Sequence, residues 1–164
     1  MPPTLLLHPL PTPLNITSSP LPTSLVTVTV PSTHPCRRCL KDGQPGDTMV
    51  LLSYDPFLGD SPYRQAGPIY VHVEPECTMA ILGGITAPGD EKDGGDLVPE
   101  QLRRRMLSLR AFDGRHMMVG TAVVLGDELV VAVRKLCVEG DGVEYVHVHF
   151  AGPGCFAVRI DRDK

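Results

Sequence analysis

Two cysteines three positions apart, in His34-Pro35-Cys36-Arg37-Arg38-Cys39-Leu40, are the residues best placed to do chemistry. A two-residue spacer lets both thiolates reach one tetrahedral ion, so the pair reads as one half of a zinc site. The missing ligands are sought among Cys77, His147, His149 and Cys155. A redox pair is the competing chemistry, but it requires a C-x-x-C at a helix N-terminus after a strand. Here Leu40-Lys41-Asp42-Gly43 leads into a turn and another strand, which disfavours redox work. The bland alternative is two ordinary thiols at a turn and histidines at the surface.

The strands after residue 140 supply the partners. Val143–Phe150 and Cys155–Ile160 read as a hairpin around Gly152-Pro153-Gly154. Pairing Ala151 with Cys155 sets Phe150 opposite Phe156, Val148 opposite Val158 and Val146 opposite Ile160, which makes one apolar face. The other face then gathers Tyr145, His147, His149, Cys155, Ala157 and Arg159. The expected metal set is therefore Cys36, Cys39, Cys155 and His149, with zinc as the ion. Cys155 beside His149 also suggests a second function class, a small thiol-dependent enzyme using Cys155 or Cys36 with a strand histidine. Arg103-Arg104-Arg105 reads as a solvated charge run at a helix end.

The elements that must position these groups follow from period and punctuation. Residues 1–24 are rich in Pro, Ser, Thr and Leu without a sustained period, and are read as an irregular or disordered leader. Strands are expected over Leu25–Val30, Thr48–Tyr54, Ile69–Val73, Met106–Phe112 and Met117–Leu125, the last two joined at Asp113-Gly114. Short helices are expected at Pro99–Arg105 and from Leu129 to Gly140. The Gly- and Asp-rich stretch Leu82–Asp96 reads as a flexible loop. The sum is an α+β protein with a mostly antiparallel sheet, two short helices and one domain over residues 25–162.

Composition narrows the classes. The chain has 164 residues, 42% hydrophobic and 21% charged, which is ordinary for a soluble protein with its own core. With no tryptophan, 5% aromatics and a formal charge of −4, a nucleic-acid partner is not expected. No apolar run approaches the ~20 residues that span a bilayer, so no membrane partner is expected either. Five cysteines, an odd and scattered set, suit a cytoplasmic protein with reduced thiols. Partners and oligomeric state are not legible.

Several short motifs carry a family resemblance: Pro35-Cys36-Arg37-Arg38-Cys39-Leu40, Ser53-Tyr54-Asp55-Pro56-Phe57, Ser61-Pro62-Tyr63-Arg64 and Gly67-Pro68-Ile69-Tyr70-Val71-His72. Tyr145-Val146-His147-Val148 and Gly154-Cys155-Phe156 continue the series. Over residues 31–162 the chain resembles the mostly bacterial domain-of-unknown-function family numbered 1203. The resemblance implies no activity, substrate or cofactor. It implies a branch in which the paired cysteines occur with later ones matching Cys77 and Cys155, while other members carry serine for the second of the pair. Glu76, the long Leu82–Asp96 stretch and the Pro-rich leader depart from the family pattern.

Overall fold

The computed structural model of the chain describes residues 4–10, 24–73, 77, 78, 80, 84–87, 89 and 95–162. Among these, ten strands form two sheets. They are β1 (Leu5–His8), β2 (Ser24–Thr27), β3 (Thr48–Tyr54), β4 (Gly67–His72), β5 (Gly84–Thr86) and β6 (Asp96–Leu97), then β7 (Met106–Asp113), β8 (Met118–Leu125), β9 (Val143–Phe150) and β10 (Phe156–Arg162). Helix α1 covers only Glu100–Arg103, and α2 runs over Leu129–Glu139. The expected α+β balance therefore becomes a mostly β fold with one helix of substance. The expected antiparallel pairing holds for every strand pair except β5–β6.

The larger sheet has the order β6-β5-β1-β10-β9-β7-β8, and the smaller has β2-β3-β4. Helix α2 lays Leu129, Val130, Val133 and Leu136 on one face of the larger sheet. They meet Leu107, Leu109 and Ala111 of β7 and Val146 and Val148 of β9 in one buried cluster. Period-3.6 apolar spacing on the helix and period-2 spacing on the strands produce this match. Gly126 sits where the chain turns from β8 towards α2. A Cβ there would run into the Leu102 carbonyl oxygen, so α1 and this turn approach as closely as backbone allows.

Two departures from the sequence reading matter. Within the leader read as irregular, Leu5–His8 form a strand inserted between β5 and β10, and Leu5 is fully buried. Prolines on either side conceal so short a strand, and its partners lie far away in sequence. Residues 11–23 lie outside the described residues, as does most of the Leu82–Asp96 stretch read as a loop. Of that stretch, β5 carries buried Ile85 and Thr86.

The second departure is at the terminal hairpin. Val158 pairs with Val148 and Ile160 with Val146 as expected, but Phe156 pairs with His149 instead of Phe150. A β-bulge at Ala157 takes up one extra residue and turns Phe156 to the opposite face. That face is accordingly no solvent surface. Phe57, Phe112, Tyr145 and Phe156 enclose His147 with ring centroids 5.1–5.2 Å away. His147 is completely buried and His149 nearly so.

The segment Tyr54–Arg64 seals this aromatic layer. Phe57 stacks edge-on against Phe112 at 5.2 Å, and Asp55 holds the segment closed through Arg64 at 2.5 Å. Ser61 donates to the His116 carbonyl at 2.7 Å. The Ser53–Phe57 and Ser61–Arg64 motifs thus have a packing role.

Candidate metal centre

The C-x-x-C segment lies in the connection between β2 and β3, which folds back on itself. Cys36 N–H donates to the Lys41 carbonyl at 3.1 Å and Gly43 N–H to the His34 carbonyl at 2.9 Å. Leu40 closes the turn with a φ of 56°, in the left-handed region. This tight loop docks on the edge of the smaller sheet. Cys36 bridges Tyr70 of β4, and Arg37 N–H donates to the Tyr70 carbonyl at 3.0 Å. The docking sets the loop beside the end of β4, where His72 is the last residue.

Four side chains converge there. The ligand atoms of Cys36, Cys39, His72 and Cys77 all lie within 4.8 Å of one another. Cys36 Sγ is 3.7 Å from Cys77 Sγ, and Cys39 Sγ is 3.6 Å from His72 Nδ1. Around a tetrahedral ion with Zn–S near 2.3 Å and Zn–N near 2.0–2.1 Å, edges of about 3.8 Å (S to S) and about 3.5 Å (S to N) follow. The Cys36–Cys77 and Cys39–His72 edges match them. These four side chains could hold a metal ion.

The surroundings favour negative charge on the Cys36 sulfur. His72 N–H donates to Cys36 Sγ at 3.4 Å. The Cys36 thiol is pushed down to about 4, chiefly by the Cys39 thiol donating to it, against the opposing effect of burial, with the backbone N–H groups of Cys39, His72 and Arg38 adding to the lowering. Cys39 moves the other way because it keeps its proton to donate a hydrogen bond to the Cys36 sulfur, and burial pushes Cys77 up. Both arginines between the cysteines are buried, Arg37 to 1% and Arg38 to 8% exposure. Arg38 Nη1 donates to the Cys77 carbonyl at 3.2 Å. On the far side of the imidazole, His72 Nε2 is 3.2 Å from Asp47 Oδ2, the position from which a carboxylate orients a metal-bound histidine.

The structure brings Cys36 and Cys39 together as the sequence reading has it, but surrounds them with His72 and Cys77. Cys155 and His149 are in neither the group nor each other's hydrogen bonds. Cys155 Sγ accepts from Arg37 Nη2 at 2.9 Å. His149 Nδ1 donates to the Gly154 carbonyl at 3.1 Å, and burial together with nearby Arg110 holds its imidazole down at about 4. The bulge is the physical reason: it rotates this end of the hairpin so that Phe156, not Cys155, shares the histidine face. The Arg103–Arg105 run also divides. Arg104 pairs with Glu100 in solvent, whereas Arg105 turns inward onto Asp42 at 3.0 Å.

Reasoning from sequence missed His72, although a signal was there. His72 and Cys77 have four residues between them and form a second half-site of ligand spacing to set beside C-x-x-C.

The family described as Protein of unknown function (DUF1203) matches residues 33–162 of the chain. The match contains all four convergent residues. No curated protein and no solved structure matches the chain. No helix among the described residues is long and apolar enough to cross a membrane.

Proposed function

The chain belongs to this family of proteins of unknown function, and we propose that Cys36, Cys39, His72 and Cys77 bind one zinc ion that holds a non-catalytic domain together. The observation that carries the reading is the pair of edges, 3.7 Å between sulfurs and 3.6 Å from sulfur to imidazole nitrogen, in a group drawn from three separate segments. Four protein ligands leave no open position for a water or substrate, which is the pattern of structural rather than catalytic zinc. Zinc supplies a cross-link there: it joins the C-x-x-C loop to β4 and to the segment beyond it.

The buried arginines support a metal–thiolate centre over neutral thiols. Among the described residues, Arg37 and Arg38 have no carboxylate as a hydrogen-bond partner; their partners there are carbonyls and the Cys155 sulfur. Buried cations left uncompensated are costly. Three thiolates and one Zn²⁺ carry a net charge of −1, which offsets part of that cost.

The loop is also where the two sheets are tied. Arg37 Nε donates to the Phe156 carbonyl of β10 at 2.8 Å, Gln101 Nε2 to the Cys36 carbonyl at 3.2 Å, and Leu10 N–H to the Arg37 carbonyl at 3.1 Å. Fixing the loop therefore fixes the seam. The thiol-enzyme alternative lacks its geometry, since Cys155 bonds to Arg37 instead of a histidine and Cys36 is fully buried.

Cobalt(II) substitution tests the reading. The expected spectrum has sulfur-to-cobalt charge transfer and the intense visible bands of a tetrahedral ion, abolished by zinc addition. A weak octahedral spectrum, or one unchanged in Cys77→Ser, contradicts it.

A further inference from the structure

A second feature lies apart from the four-residue centre, where Arg37 reaches the turn between β9 and β10. A cavity of about 540 Å³ opens there, a size typical of small-molecule sites. Phe150 forms one wall, with the Arg37 and Arg105 guanidinium carbons 5.0 and 5.1 Å from its ring centroid. Leu51, Met106 and Pro68 add apolar surface, and Cys155 and Gly152 lie along the turn side. Among the described residues, none that lines the cavity is acidic, and none is a member of the four-residue centre.

The walls are pre-formed. Arg37 and Phe150 are 1% and 3% exposed, and Arg37 is fixed by the Pro35 and Phe156 carbonyls and the Cys155 sulfur. The terminal nitrogens of Arg105 are committed to Asp42 and to the Gln101 and Ser32 carbonyls, which leaves its Nε–H outside those bonds. Arg37 spends its donors on protein acceptors and Arg105 pairs with Asp42. What this end of an apolar-walled pocket offers an anion with its own apolar surface is therefore the Arg105 Nε–H, a charge-assisted donor whose bond strengthens as water is excluded.

We propose that this cavity binds a small organic anion: an apolar body that covers Phe150, with a carboxylate or similar oxyanion head towards Arg105. The bond at the head is charge-assisted, and the body displaces water from the Leu51, Met106 and Pro68 surface. The cavity contains none of the four cysteine and histidine side chains of the centre, although Ser32, Thr33, Pro35 and Arg37 of the loop that carries the cysteines line it.

Calorimetric titration of the full chain with octanoate, and with octanol as the uncharged analogue, tests this. Octanoate is expected to bind saturably with one site per chain. Octanol is expected to bind at least about tenfold more weakly, the least that a charge-assisted hydrogen bond supplies. Gly152 lines the cavity and a Cβ there meets no atom within 4 Å, so Gly152→Trp is expected to leave the fold intact, to occupy the cavity and to remove octanoate binding. Failure of octanoate to bind, equal binding of octanol, or binding undiminished in Gly152→Trp overturns the proposal.

Discussion

His72 Nε2 and Asp47 Oδ2 stand 3.2 Å apart, on the side of the imidazole away from the cysteine sulfurs. Asp47 Oδ2 also accepts the Gln44 N–H at 2.7 Å, so the carboxylate is anchored before it reaches the histidine. Its carboxyl is held below the usual range, first by that backbone bond and then by His72, with slight burial opposing. Orienting partners of this kind are typically worth 10–100-fold in metal affinity. Competition with a chromophoric chelator should therefore show zinc held roughly 10-fold or more weakly in Asp47→Ala, with one ion still bound at saturation. Unchanged affinity would remove Asp47 from the account.

Arg37 is the residue through which the cysteine loop grips the larger sheet. Replacing it with methionine keeps apolar volume but leaves the Pro35 and Phe156 carbonyls and Cys155 without their donor. Losing one partner of such a buried network costs about 3 kcal/mol or more. Urea unfolding of the zinc-loaded protein should show that loss, and Arg37→Lys should recover little of it, because one ammonium cannot serve three acceptors held in a fork. A loss under about 1 kcal/mol would mean that the seam is held elsewhere.

His147 offers a pH signature. Neither ring nitrogen has a partner among the described residues, and the ring is completely buried. Burial, then the neighbouring His149, Arg159 and Arg110, push it down to about 3, with Asp55 opposing. The ordinary histidine value is 6.5, so above that pH both folded and unfolded chains are neutral here. Below it the unfolded chain takes the proton first, and stability falls until the folded value is reached. His147 alone should cost roughly 2 kcal/mol by pH 5. His147→Phe removes an unpaired polar group from an aromatic cage and should stabilise the protein by about 1–3 kcal/mol at neutral pH. The difference between variant and parent should widen as pH drops from 6.5 to 5. A constant difference would show that His147 has a proton partner.

Gly126 tests the packing of α1 against the turn before α2. Gly126→Ala puts a methyl group against the Leu102 carbonyl and Arg103 backbone. Forced backbone movement of this kind costs about 1–3 kcal/mol. Thermal unfolding should register it while zinc stoichiometry stays the same.

Much of this fold is local and was legible. The β3, β7, β8 and β9 strands and α2 announce themselves through period and turn residues, and the Asp113-Gly114 hairpin closes where the dipeptide stands. What was not legible depends on long-range pairing. Nothing near Leu5 reveals that β10 and β5 wait on either side of it. The candidate site was half legible for the same reason. Cys36 and Cys39 are neighbours in sequence, whereas His72 arrives through the docking of the loop on Tyr70. Cys155 lies apart from the histidine face because of a single bulge at Ala157, since one inserted residue exchanges the faces of a strand. Arg105 looked like part of a solvated run, and only tertiary contact with Asp42 turns it inward.

The most direct test is zinc stoichiometry, measured by elemental analysis after dialysis, across two sets of single variants. His72→Ala and Cys77→Ser should lose the ion that the parent chain retains at one per chain, as should Cys36→Ser and Cys39→Ser. His149→Ala and Cys155→Ser should keep it. Retention in His72→Ala and Cys77→Ser, or loss in Cys155→Ser, would contradict the assignment of the centre to the loop, the end of β4 and Cys77.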